Sequence, residues 1–299
     1  MKMESALFNS HIDALHEFKQ QLFTRGYEFE LHDDDDFLSL NLVSGVLILN
    51  VDNSKIRITG LWNSRDRELD YRDAAHIANE WNSAYVYPFG FVKHDDEDPI
   101  ALCAQIIVEH SIDGLEKLYE GIEEAIFAMD LYFSWLDQKI FQDDNAGESI
   151  TMSRNWSEEF ANHDNTDLLH RINEILTSYG AQTSYDKSQH TITSYWTDEE
   201  IPVVVTAPSI LNKQLLVGAI GKQYINLDDY DIAEDIALLM TSSDSGIKVS
   251  AVRTDDACGF TSEKICDYPQ LSTDEDVYAI TMHAIKQVID NITLLQSRV

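Results

Sequence analysis

Apolar residues recur at helical spacing near the start of the chain, at Leu15, Phe18, Leu22 and Phe23, and Thr24-Arg25-Gly26 closes the run. Far downstream, Leu169, Ile172, Ile175 and Leu176 lead to a stop at Gly180. Leu15, Phe18, Leu22 and Gly26 fall on Leu169, Ile172, Leu176 and Gly180 with one constant offset of 154. A glycine after the last turn predicts a left-handed cap in both places. The chain therefore reads as a repeat, and each half helps to interpret the other.

Short strand-like runs follow the first helix at Tyr27–His32, Phe37–Val43, Val46–Val51 and Ile56–Trp62, separated by turn-forming groups such as Ser44-Gly45 and Asp52-Asn53-Ser54. In the second half the runs are His190–Trp196, Ile201–Ala207 and Gln214–Ile220, and Gly60 meets Gly218 at an offset of 158. A second helix comes next. Residues 70–78 match residues 229–237 at an offset of 159, with Asp, Tyr, Ala, Ile and Ala shared. The shared Tyr, Ala, Ile and Ala lie on one helical face. A hairpin then follows, Val86–Lys93 with Ile100–Val108 and Ile247–Arg253 with Phe260–Cys266. A long helix closes each half, with Leu115, Leu118, Ile122, Ile126 and Phe133 falling on Val277, Ile280, Ala284, Val288 and Leu295 at an offset of 162. Ser272 with Glu275 has the spacing of a capping box.

The expected fold class is α+β: two tandem α-β-β-β(-β)-α-β-β-α domains, each an antiparallel sheet packed with helices. The expected boundaries are 1–140 for the first domain, 141–165 for a polar linker, and 166–299 for the second. With 299 residues, each copy has enough chain for its own core.

Charge narrows the function. Asp plus Glu is 53 against 21 Lys plus Arg, a net charge of −32. Such a surface repels phosphates and anionic headgroups, which argues against nucleic-acid and membrane-surface partners and favours basic ones. No apolar run reaches membrane-spanning length and the start carries no secretory pattern, so the cytoplasm is the expected compartment. The three cysteines, Cys103, Cys258 and Cys266, form no C-x-x-C pair and read as buried small apolar residues.

Motifs that carry chemistry are missing. Neither G-x-S-x-G, G-x-G-x-x-G nor H-E-x-x-H occurs. Gly221-Lys222 fails as a phosphate loop because Leu216 stands where the first glycine is needed and Gln223 where a hydroxyl is needed. Asp33–Asp36 reads as a solvated turn, since consecutive carboxylates in a short loop cannot all face one cation. Gln142–Glu148 lacks the alternate ligand spacing of a calcium loop. His76 aligns with Asp235, so no imidazole role is common to the two copies, and His94 and His110 have no partner at motif spacing. The expectation is a protein that is not an enzyme, with no catalytic residue, no metal site and no cofactor. The alternative function is a small-ligand or metal-binding regulatory protein.

Gly26-Tyr27 at a helix end, a polar meander, Ala78-Asn79-Glu80-Trp81-Asn82 at the end of a short helix, a two-strand hairpin and a long helix together resemble the YbjN family. These bacterial sensory transduction regulators are similar in fold to type III secretion chaperones. The resemblance covers residues 10–137 and extends to 166–298 through the repeat, where Leu238-Leu239-Met240-Thr241 replace the asparagine-bearing helix end. It implies no catalytic residue, no cofactor, and a regulatory or chaperone-like role exercised through a protein partner. Chaperones of that fold are usually dimeric and bind client segments. The expected partner is an unidentified protein offering a basic or amphipathic segment. Two copies in one chain can satisfy a twofold pairing internally, so an intramolecular pseudo-dimer is expected. Tyr71, Ile77, Trp81, Tyr230, Ile236 and Met240, on the second helices, are the candidate partner or inter-domain contacts.

Overall fold

The computed structural model describes residues 11–32, 37–52, 55–64, 68–85, 87–94, 100–109, 115–141, 166–186, 191–195, 201–206, 214–221, 225–241, 247–253, 257–267 and 273–297. The elements of the first half are α1 (His11–Thr24), β1 (Glu30–His32), β2 (Phe37–Leu42), β3 (Gly45–Asp52), β4 (Lys55–Trp62), α2 (Tyr71–Ala84), β5 (Phe89–Lys93), β6 (Ala101–Glu109) and α3 (Leu115–Phe141). Those of the second are α4 (Thr166–Ser178), β7 (Thr183–Asp186), β8 (Thr191–Tyr195), β9 (Pro202–Thr206), β10 (Gln214–Ile220), α5 (Tyr230–Thr241), β11 (Ile247–Arg253), β12 (Cys258–Asp267) and α6 (Asp274–Gln296). Asp33–Asp36, His110, Gln142–Glu148 and the linker beyond Phe141 lie outside the described residues.

Strand order demonstrates the repeat. One sheet runs β1-β2-β3-β4-β6-β5 and the other, read from its far end, β7-β8-β9-β10-β12-β11, with antiparallel neighbours throughout. Both are six-stranded with helices, so the α+β class and the tandem repeat expected from the sequence are the ones observed. Four strands precede the second helix in both halves. The strand the sequence pattern missed is β7, Thr-Ser-Tyr-Asp, an edge strand without apolar alternation.

The chain divides into two compact units: Met1–Ala74 with Tyr87–Ser149, and Ala75–Val86 with Ile150–Val299. In the first unit, β4 alternates buried and part-exposed positions, turning Ile56, Ile58, Gly60 and Trp62 to one face. Helices α1 and α3 pack beside each other, with the Phe18 and Tyr119 rings edge to face at 5.6 Å. Asp137 of α3 accepts from Trp62 Nε1 at 2.9 Å and from Ser44 Oγ at 2.5 Å, tying the helix to the β4 end of the sheet. In the second unit the core gathers Leu169, Ile172 and Leu176 of α4, Val203, Val205, Leu215 and Val217 of the sheet, and Val288, Ile292 and Leu295 of α6. That helix begins at a capping box, but the pair is Thr273 and Asp276 rather than Ser272 and Glu275. Asp276 stands on the third helical residue and accepts from the Thr273 hydroxyl at 2.7 Å and from the Thr273 N–H at 3.0 Å, which together hold its carboxyl below the usual range.

Both predicted glycine caps are present. Gly26 and Gly180 have φ of 92° and 90°. Tyr27 N–H donates to Leu22 O and Gly26 N–H to Phe23 O, each at 3.0 Å. Ala181 to Leu176 and Gly180 to Thr177 repeat the pattern at the same distance. This is the Schellman arrangement twice over. No atom would obstruct a Cβ at either site, so the strain of a side chain there is purely conformational. Gly26→Ala and Gly180→Ala should each cost about 1–2 kcal/mol in a urea melt.

Gly60 and Gly218 show the copies diverging. A Cβ on Gly60 would lie 2.8 Å from Phe133 Cζ and 2.9 Å from Met129 Sδ, both on buried side chains of α3. At Gly218 the nearest atom is Glu263 Cγ at 3.6 Å, an ordinary contact. The close approach of α3 to β4 therefore requires glycine in the first copy only. Gly60→Ala should destabilise by about 1–3 kcal/mol through overpacking. Gly218→Ala should be neutral or stabilise by up to about 1 kcal/mol, because alanine has less backbone freedom to lose. Equilibrium unfolding of the two variants checks both signs.

Candidate functional site

Residues 75–85 lie in the middle of the first copy's sequence, yet their contacts place them in the second compact unit. There they lie along β11, the terminal strand of its sheet. An edge strand leaves every second residue with backbone N–H and C=O unpaired. In β11 those groups are met by side chains. Thr241, at the end of α5, accepts from Val249 N–H and donates to Val249 O, both at 2.8 Å. Two residues along, Asn79 Oδ1 accepts from Ala251 N–H at 2.9 Å while its Nδ2 donates to Ala251 O at 3.1 Å. The carboxamide thus offers one donor and one acceptor side by side, as a neighbouring strand's peptide would.

The same Nδ2 also reaches Glu234 Oε1 at 3.1 Å and Tyr230 Oη at 3.2 Å. Glu234 is a buried carboxylate on α5, and His76 Nδ1 lies 3.0 Å from its Oε1 from a largely exposed ring. Burial beside Glu234 pushes the Tyr230 phenol well up, so it stays neutral. The Arg253 guanidinium stands 5.8 Å from that ring's centre.

A second clamp closes the other end. Lys248 is 2% exposed, donates to Tyr85 O at 2.6 Å and pairs with Glu263 at 2.5 Å. Tyr85 follows the last residue of α2, where carbonyls lack helical partners and the dipole favours a cation. Burial pulls the Lys248 amine below its ordinary value, against the opposing pull of Glu263. The two clamps match in length. Six residues from Asn79 to Tyr85 rise about 9 Å along a helix. Three from Ala251 back to Lys248 span about 10 Å along a strand. Helix and strand run antiparallel, joined at both ends.

Of the sequence candidates, Tyr230 is in this cluster. Trp81 is buried and stacks on Tyr85 with ring centres 4.1 Å apart. Ile77 is half-buried, and Ile236 and Met240 pack against the second core. Tyr71 lies in the first unit with its ring 5.9 Å from that of His94. Asn79 enters the sequence reading only through the family resemblance, and Glu234 and Lys248 are not among its candidates. The signal for the first was available: asparagine is disfavoured inside a helix, and Asn79 and Asn82 flank Trp81 in one. The repeat carries Asn82 onto Thr241, and both are buried. The polar helix end therefore persists in the second copy as a threonine.

Nothing in the described residues gathers three or more His, Cys, Asp or Glu side chains around a point where a metal could sit. The three thiols are reduced and buried, and burial pushes Cys103 up to about 12. A thiol reagent should therefore find none of them promptly in the native protein and all three after denaturation. No described helix is long and apolar enough to cross a membrane.

These features define a tandem α+β repeat protein in which one sheet edge is closed by a helix from the other half of the sequence. The sequence matches no protein-family model, and no curated protein matches it. Among solved structures it is similar to YbjN from E. coli, over 42% of this chain and 92% of that one, at 12% identity and a TM-score of 0.36.

Proposed function

We propose that this protein is a non-enzymatic protein-interaction module with a regulatory or chaperone-like role, working in the cytoplasm without a cofactor. One observation carries the reading. Helix α5 leaves Ile232 56% and Leu239 69% exposed, two turns apart on one face. Asp228, Asp229 and Asp231 are exposed around its start and Asp235 is half-exposed on the helix. An apolar stripe rimmed by carboxylates suits a basic amphipathic helix, which supplies apolar side chains to the stripe and lysines or arginines to the rim. The net charge of −32 favours the same partner at long range.

The test is a pair of fluorescent peptides, an amphipathic helix with lysines on its polar face and the same helix with glutamates there. Anisotropy should show the lysine peptide binding and the glutamate peptide failing. Binding should weaken as salt is raised, because the screening length shrinks to about 8 Å at physiological ionic strength. Ile232→Ser with Leu239→Ser should abolish it. Equal binding of both peptides, no binding, or full binding by the double variant would each overturn the reading.

A further inference from the structure

We propose that residues 75–85 act as a detachable strap: a segment that closes the exposed edge of the second sheet, and whose release opens that edge and uncovers Glu234 as one cooperative event. The segment belongs to the second compact unit by contact but reaches it from the middle of the first half's sequence. It is fastened at two points. Asn79 occupies Ala251 and Glu234 at one end, and Lys248 holds Tyr85 O at the other.

The fastening is polar and directional. Asn79 is 2% exposed and Glu234 4%, so the carboxamide and carboxylate satisfy each other out of water. If the strap lifts, Ala251 N–H loses its partner, Ala251 O keeps only the longer bond from Tyr230 Oη at 3.4 Å, and Glu234 loses both Asn79 and His76. Partial detachment leaves such groups buried and unpaired, which is costly, so the closed and fully open states are favoured over intermediates. The Val249 pair is held separately, by Thr241 from α5. Strap release therefore frees Lys248 and Ala251 of β11 without dismantling the contact of Val249 with α5. Helix α2 begins at Tyr71, in the first unit, and its residues from Ala75 onward belong to the second.

Hydrogen exchange on the full-length chain tests this, read by mass spectrometry on peptides covering 75–85, 247–253 and, as a reference, 45–62. In Asn79→Ala, exchange in 75–85 and 247–253 should rise together by at least about tenfold, with 45–62 unchanged, because a buried two-way hydrogen bond is lost. His76→Ala removes only an exposed partner of Glu234 and keeps the chain foldable. It should raise exchange in the same two peptides together by about two- to fivefold, less than Asn79→Ala does. A rise confined to one of the two peptides would overturn the strap, as would unchanged exchange or loss of protection in all three. If Asn79→Ala does not fold, His76→Ala decides on the same criterion.

Discussion

Lys248→Met should destabilise the protein by about 3 kcal/mol, because it leaves Glu263 and the Tyr85 carbonyl without their buried cation. The lysine is 2% exposed while Glu263 retains about a quarter of its surface, which keeps the loss below that of a wholly buried pair. Lys248→Met with Glu263→Leu should recover most of the loss, since two apolar side chains directly opposite each other on β11 and β12 replace two charges. Urea melts of the single and double variants give the coupling directly. The pH dependence follows from the sign of the shift. Burial lowers the Lys248 amine below 10.5 in the folded state. Between that lowered value and 10.5 the unfolded chain holds a proton that the folded chain does not, so the lysine makes stability rise with pH across this window and fall as pH drops through it. Tyr119 and Tyr132, both pushed up by burial, act in the opposite direction above about pH 10. Subtracting the Lys248→Met curve from the wild type removes their contribution, and the remaining difference should rise with pH over the lysine window.

The parts of this fold that were legible in the sequence are those set by local rules. Gly26 and Gly180 announced their caps because only glycine tolerates a φ near 90° after a helix. The offsets between copies survived because each aligned residue fills an equivalent position: Tyr71 with Tyr230, Ile122 with Ala284, Phe133 with Leu295. What could not be read was set by tertiary contact. Strand β7 has no apolar alternation, and its place follows from pairing with β8. Asn79 looked like a family feature of one helix end. Its task depends on Ala251, 172 residues away in sequence, and no local pattern carries that pairing. Lys248 sits in a run where Ile247, Val249 and Ala251 face the core, so alternation alone assigns it to solvent. Only the helix end lying over that face makes it a buried cation.

The closing helices carry the other large expectation. Leu118→Ala should cost about 2–5 kcal/mol, since the side chain is 1% exposed and α3 packs it against the first sheet. The repeat places Ile280 at the matching position of α6, and the sequence pattern predicts the same loss there. The structure differs: Ile280 is only partly buried, and the fully buried residues of that helix are Val277, Thr281, Ala284, Ile285, Val288, Ile292 and Leu295. The aligned pairs Ile122 with Ala284, Ile126 with Val288 and Phe133 with Leu295 are buried in both copies, so the register of the repeat holds and Ile280 is the position that differs. The start of α6 is acidic, with Asp274, Glu275 and Asp276 exposed in its first turn and Arg171 paired to Asp274 at 2.6 Å. Such a turn is held at the surface by its charges, and Ile280 lies only one turn further on. Ile280→Ala should therefore cost about 1–2 kcal/mol, and Ile285→Ala about 2–5 kcal/mol. Denaturant midpoints measured for all three variants should rank Leu118 and Ile285 together, with Ile280 clearly below them. An Ile280 loss equal to the other two would show that Ile280 is seated as deeply as Leu118.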